Sequence, residues 1–495
     1  MRRILGNALI GLLALACGAG AARGQEWTRV RAPHFEVVTD AGEKRGKEIA
    51  VRFEQMRRVF EKLLSAEKLN TPIPLQILAF RGAKEFDDVA PLVNGKPQQN
   101  LAGFFQSSGD MNFIALNLSR GEEYPLVYHE YSHSVLHGNF RHIPLWFDEG
   151  LATYYQTIKI EKGHVQIGAS PKYADTFLYH RALMPVTQLF SVTTYAEDDI
   201  RETLFYNESW AVVHYLFDKQ KMGDFAKYME LTTTQSVPIP AAIEQAFKMT
   251  PKELDLQIAA YLNMALRQVF NIDDSTGVDN EKIVAEPLEQ NDAAAMIANM
   301  HFHSRDHHEE AIQEYKAVLA TNPNQVDANL GLGYDALLSG KYEEAEIVIR
   351  KGVSLQPKNA RGQFLLGILQ LHRDSTDANR QEHLIDAWNH LKAAAMLSPE
   401  LAEVHNLLAS TFEQMGNVEQ AIKEATVAAR LNQGAEGYFV HLAELYVRAK
   451  KYEQAESVFE QLAASNNPTI SSLANKRLEE LKAADGQQKA QTPKE

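Results

Sequence analysis

His129-Glu130-Tyr131-Ser132-His133 is the stretch of the chain whose residue types and spacing carry the most chemistry. Two histidines four residues apart share one face of a helix, so both imidazoles can reach a single metal ion. Glu130 follows the first of them and projects to the side of that ion. There it can take a proton from a water in an open coordination position. The flanking residues support a helix over Tyr124–Gly138, with Pro125 at its start and Gly138 at its end. The chemistry this implies is zinc-assisted hydrolysis.

Zinc requires a third protein ligand and a position left for water. His137 shares a face with His133, but it stands about 12 Å from His129 along a helix rising 1.5 Å per residue. A metzincin continuation needs a glycine three residues after His133 and a histidine six after it; Leu136 and Asn139 stand there instead. His142 lies in an expected loop with no supporting pattern. Glu149 lies in Pro144-Leu-Trp-Phe-Asp-Glu-Gly-Leu-Ala-Thr-Tyr-Tyr155, whose apolar spacing predicts a second helix after a short turn. Packed antiparallel on the first helix, it could aim Glu149 at the two histidines.

His129–His133 followed by Asp148-Glu-Gly-Leu-Ala-Thr-Tyr-Tyr155 resembles the peptidase MA-like gluzincins. It is similar in particular to the aminopeptidases whose second motif reads Asn-Glu-Gly-Phe-Ala. The resemblance implies that Glu149 is the third zinc ligand, although the gap of 15 residues after His133 is shorter than usual in those enzymes. Leu204-Phe-Tyr-Asn-Glu-Ser-Trp-Ala-Val-Val-His-Tyr-Leu216 resembles the aminopeptidase helix that begins Tyr-Glu-Lys-Gly, which implies an oxyanion-binding role for Tyr206. The other reading of Tyr206 is a core residue at a helix start. One departure concerns the Gly-Ala-Met-Glu-Asn strand that reads the substrate amine in those enzymes. Here Gly109-Asp-Met-Asn-Phe113 lacks its glutamate, which argues against aminopeptidase specificity. The strand expected at 111–117 could still pair with an extended peptide by edge addition.

Around these motifs, residues 26–118 alternate strand and helix patterns. Strands are expected at His34–Asp40, Pro74–Phe80 and Met111–Asn117, a helix over Gly42–Leu64 and a loop at 94–100. Residues 119–265 read as mainly helical, apart from a hairpin at Lys159–Gly168 turning at Lys162-Gly163. From about 292 the chain repeats. Ala311, Ala345, Ala387, Ala421 and Ala455 are spaced by 34, 42, 34 and 34 residues, with the polar stretch Asp374–Gln381 supplying the extra eight. Pro323, Pro357 and Pro399 each follow their alanine by twelve, and Leu332-Gly333 and Leu366-Gly367 fit a first-helix contact. These units look like tetratricopeptide repeats, paired helices that stack into a superhelix with a concave peptide-binding groove. His301, His303, His307 and His308 fall at a repeat start and read as a solvated helix face, while His34, His164, His180 and His214 read as ordinary surface or core residues.

The resulting organisation is a signal peptide at 1–24, a peptidase MA-like domain at 26–267, a linker at 268–290, about five repeats at 291–484 and a disordered tail at 485–495. The expected fold is α+β, a small mixed sheet with a helical lobe, followed by an all-α solenoid. The chain has 495 residues and a formal charge of -14, which argues against general nucleic-acid binding. Arg2 and Arg3, the apolar run Ile4–Ala16 and Ala22-Arg23-Gly24 form an export signal. The sole cysteine, Cys17, is either removed with it or lipidated as an anchor. No apolar run is long enough for a transmembrane helix. The expected protein is therefore periplasmic or extracellular, holds Zn2+, cleaves a peptide or protein substrate and binds a protein partner through its repeats. The competing reading is a catalytically silent peptidase-like scaffold whose repeats assemble cell-envelope proteins.

Overall fold

The computed structural model describes residues 26–64, 69–98, 101–121, 124–161, 164–170, 178, 183–194, 199–235, 237–262, 269–273, 278–373, 379–465 and 467–491. The expected export signal, Cys17, the turn Lys162-Gly163, His180 and residues 374–378 lie outside them.

The N-terminal part is a mixed α/β region. Its strands are β1 (Trp27–Arg31), β2 (Glu36–Thr39), β3 (Leu75–Phe80), β4 (Leu92–Val93), β5 (Lys96–Pro97), β6 (Gly103–Gln106), β7 (Asn112–Asn117), β8 (Lys159–Glu161), β9 (His164–Ile167), β10 (Phe270–Asp273) and β11 (Val284–Leu288). Six of them form one sheet in the order β11-β1-β2-β3-β7-β6. Strands β2, β3 and β7 run parallel, and the outer pairings are antiparallel. Alternation sends Ile77, Ala79, Ile114 and Leu116 to one face, where α1 (Glu43–Leu63) and α3 (Pro125–Asn139) cover them. Leu78, Phe80, Phe113 and Ala115 point to the other face, where Phe86 of α2 (Ala83–Asp87) packs on Phe80. Burial on both sides explains why these central strands are almost wholly apolar.

Four expectations need correcting here. Residues 268–290 are not a linker, because β10 pairs with β9 and β11 pairs with β1 at the sheet edge. Pro287 removes a backbone donor, which an edge strand tolerates. Strand β7 is not an edge either: β6 pairs along it from Gly103–Leu116 to Gln106–Phe113 and is itself the edge. The tail expected from 485 begins as helix, since Pro468–Gln491 is continuous. The loop expected at 94–100 contains β5, which pairs back on β4 just before it in a short hairpin.

Five helix pairs follow among the described residues, Gln290–His303 with His308–Thr321, Val326–Leu338 with Tyr342–Leu355, Ala360–His372 with Arg380–Leu397, Ala402–Gln414 with Val418–Leu431, and Glu436–Arg448 with Tyr452–Ala463. All five register alanines are fully buried. A Cβ on Gly333 would stand 2.3 Å from Ile349, and one on Gly367 would stand 2.5 Å from Leu391, so both positions let paired helices touch.

The repeats pack directly on the α/β region. Ala293, Met296 and Met300 of the first repeat helix cover the second face of the sheet. The histidines expected on a solvated face are mostly drawn into this junction. His301 and His307 are buried, His307 Nε2 lies 3.0 Å from the Ala90 carbonyl, and His303 Nε2 lies 2.7 Å from Asp110 Oδ1. Asp110 Oδ2 is also 3.3 Å from Arg361 Nε, whose Nη1 donates to Asn299 Oδ1. Burial raises the Asp110 pKa, but His303 and Arg361 outweigh this and hold the carboxyl below its ordinary value. Breaking such a buried pair leaves an uncompensated charge and costs about 3–5 kcal/mol. Arg361→Met is therefore expected to lower unfolding stability by about that amount in a urea titration, with Asp110→Asn added to it restoring part of the loss. Additive losses would show that the pair is not coupled.

Candidate functional site

Helix α3 begins with Pro125 at its first position and ends where Gly138 meets Pro72 and Asn70, a Cβ there lying 3.0 Å from Pro72. Pro144 precedes α4 (Leu145–Tyr155), which packs back against α3. Helix Asp199–Asp218 lies on the other side of α4. Gly150 makes that approach possible, because a Cβ there would sit 2.4 Å from the Ser209 carbonyl oxygen. The glycine after Glu149 thus brings the Tyr206 helix close to the histidines.

The spacing-derived residues meet in one place. His129 Nε2 is 3.2 Å from His133 Nε2 and 3.2 Å from Glu149 Oε2, and His133 Nε2 is 3.5 Å from Glu149 Oε2. The Glu149 side chain is 3% exposed. A tetrahedral ion with bonds of about 2.0–2.1 Å places its ligands ~3.3 Å apart. The three observed separations are those of one face of such a tetrahedron. The donor set, two imidazoles and a carboxylate, is also that of catalytic zinc. These residues therefore fit the metal.

Tyr206 stands beside them, its ring centroid 6.2 Å from that of His129. Glu130 is half-buried and lines a cavity of about 300 Å3 together with His133 and His137. His142 is elsewhere: it has a positive φ of 57°, faces Glu436 at 3.4 Å, and burial with the nearby Arg141 charge lowers its pKa to about 4.

Asp148 joins the cluster although the motif spacing does not single it out. Its two oxygens lie 2.7 Å from His133 Nδ1 and 2.7 Å from His137 Nε2. Burial raises its pKa, but the two histidines outweigh this and lower it to about 2. Burial likewise lowers the His133 pKa, while Asp148 and Glu149 outweigh it and lift it to about 10. Metal binding at Nε2 would displace the proton there, and a carboxylate accepting from Nδ1–H then fixes the tautomer that turns the Nε2 lone pair toward the cluster. The legible signal was the aspartate that replaces asparagine in the second motif. Asp148→Asn is expected to weaken zinc binding about 10- to 100-fold, read by competition with a chromophoric chelator. Wild-type affinity in that variant would mean that Asp148 serves packing alone.

Comparison with known proteins supports the repeats and leaves the first region unassigned. Residues 303–369 and 439–470 match family models described as tetratricopeptide repeat. The C-terminal part is thus a tetratricopeptide-repeat solenoid. Residues 126–239, which hold the metal-type cluster, match a model described as a protein of unknown function, DUF1570. No curated protein matches the chain. Among solved structures, it is similar to a thermophilic repeat protein of Thermus thermophilus (19% identity, 38% of this chain and 98% of that one, TM-score 0.32). It is also similar to PilF of Pseudomonas aeruginosa (19% identity, 40% and 89%, TM-score 0.31). A third is MamA of Desulfovibrio magneticus (20% identity, 34% and 92%, TM-score 0.29).

Proposed function

We propose that the protein is an exported, zinc-dependent peptidase of the gluzincin kind whose repeats bind other proteins. The observation that carries this reading is the mutual separation of 3.2, 3.2 and 3.5 Å between His129, His133 and Glu149. Zinc held by them would act as a Lewis acid, acidifying water and polarising a peptide carbonyl. Glu130 takes the proton of the attacking water and returns it to the departing amine. Tyr206 donates a hydrogen bond from its neutral phenol to the carbonyl oxygen as negative charge develops there. Asp148 keeps His133 in the required tautomer.

The peptide itself is expected along β6. That strand is one edge of the sheet among the described residues, and Phe105 from it lines the same cavity as Glu130. An extended chain paired with an edge strand is held by backbone hydrogen bonds irrespective of side chains. Asn112, which stands where the amine-reading motif has its glutamate, lines that cavity as a neutral amide. That supports cleavage which does not depend on reading a free amino terminus. Among the described residues no helix is long and apolar enough to cross a membrane, and export rests on the N-terminal segment. The test is digestion of a peptide library by zinc-loaded protein, with and without a chelator. Chelator-sensitive cleavage supports the reading, and persistent cleavage after zinc removal contradicts it.

A further inference from the structure

The repeats do not stay clear of the candidate cleft. The turn between helices Val418–Leu431 and Glu436–Arg448 reaches the end of α3, the helix that carries both histidines. Gly434 N–H donates to the His137 carbonyl at 2.8 Å, and Gln433 N–H donates to the Gly138 carbonyl at 3.3 Å. These carbonyls belong to the last turn of α3, which has no further amides of its own to bind them. Flanking contacts hold the turn in place. The Arg141 guanidinium sits 3.3 Å from the centroid of the Phe439 ring, its Nη1 donates to Gln461 at 2.6 Å, and Asn70 Nδ2 donates to the Arg430 carbonyl at 3.1 Å.

Asn432 follows from this docking. It lines the cavity of about 300 Å3 that also contains Phe105, Asn112, Glu130, His133 and His137. One wall is thus the sheet edge, one is the histidine helix with the general base, and one is a repeat turn. We infer that Asn432 and the turn 432–434 form a substrate-specificity wall, limiting the size of the peptide side chain accepted beside Glu130. The inference rests on the peptidase reading given above. It gives the repeats a role inside the reaction site, separate from partner binding in their groove.

Gly434 provides a lever on this wall. A Cβ at this position would lie 2.2 Å from the His137 carbonyl oxygen and 3.0 Å from its carbon, both backbone atoms, so the turn must lift. In the full-length protein, Gly434→Ala should lower KM for peptides with bulky side chains roughly 10-fold while kcat for small ones stays near wild type. Asn432→Trp narrows the cavity without disturbing the docking contacts, and it should raise the same KM by roughly 10-fold. A readout independent of catalysis is thiol labelling. The only native cysteine is Cys17, so Asn112→Cys in a Cys17→Ser background reports access to this cavity. Its reaction with a bulky maleimide should accelerate when Gly434 is replaced by alanine.

Shifted peptide profiles together with faster labelling support the inference. An active protein whose profile is the same in both variants overturns it and leaves the peptidase reading intact. Labelling that does not change with Gly434→Ala also overturns it, since the turn then does not bound the cavity. A wild-type protein that cleaves nothing overturns the peptidase reading and this inference with it.

Discussion

Glu130→Gln is expected to bind zinc like the wild type and to lose hydrolysis by a factor of about 10^2–10^4, the range attributed to a positioned general acid–base group. The substitution is nearly isosteric, so the half-buried position keeps its packing. What it removes is the ability to accept a proton. Glu130 is not among the three clustered donor atoms, and the metal should be untouched. The two measurements therefore separate cleanly: zinc by atomic emission, turnover by peptide cleavage. Full residual activity would refute the general-base role, and parallel loss of zinc and activity would show that Glu130 supports the site in some other way.

The second large effect is expected at Glu149. Replacing it with alanine leaves two imidazoles for an ion that takes three protein ligands in catalytic sites. Zinc should fall from near-stoichiometric to near-background after dialysis against a weak chelator, and turnover should vanish with it. His129→Ala should behave in the same way. Since Glu149 is buried within α4, circular dichroism must accompany the assay. A folded Glu149→Ala protein with a full zinc complement would remove the carboxylate from the ligand set.

The site was legible where one helix face carries it. His129 and His133 meet because α3 is helical, and Glu149 joins them because a proline-initiated second helix turns back on the first. Tyr206 was reachable only through its likeness to a known helix, because nothing in residues 204–216 reveals that Gly150 lets the two helices approach. Asp148 is not legible from the ligand spacing, because its role depends on α4 turning its carboxylate toward the outer nitrogens of His133 and His137.

Elements set by long-range pairing were much less legible. Strand β11 is a short, proline-containing segment that becomes a strand only by adding to β1. Alternation placed Met111–Asn117 correctly, but its position inside the sheet depends on Gly103–Gln106, which carries little periodic signal of its own. The histidines at 301–308 looked solvated because a single repeat leaves them on its surface. The α/β region buries most of them, with His303 held by Asp110, a partner 193 positions away. The repeats were the most legible part of all, since each repeat packs on its neighbour and a 34-residue period is written directly in the chain.

The most direct test is a zinc-edge anomalous difference map from crystals of the full-length protein. The account predicts one strong peak about 2.0–2.1 Å from His129 Nε2, His133 Nε2 and a Glu149 oxygen, with Asp148 behind His133. Native protein that yields no such peak, with the Glu149 side chain turned away from the two imidazoles, would contradict it.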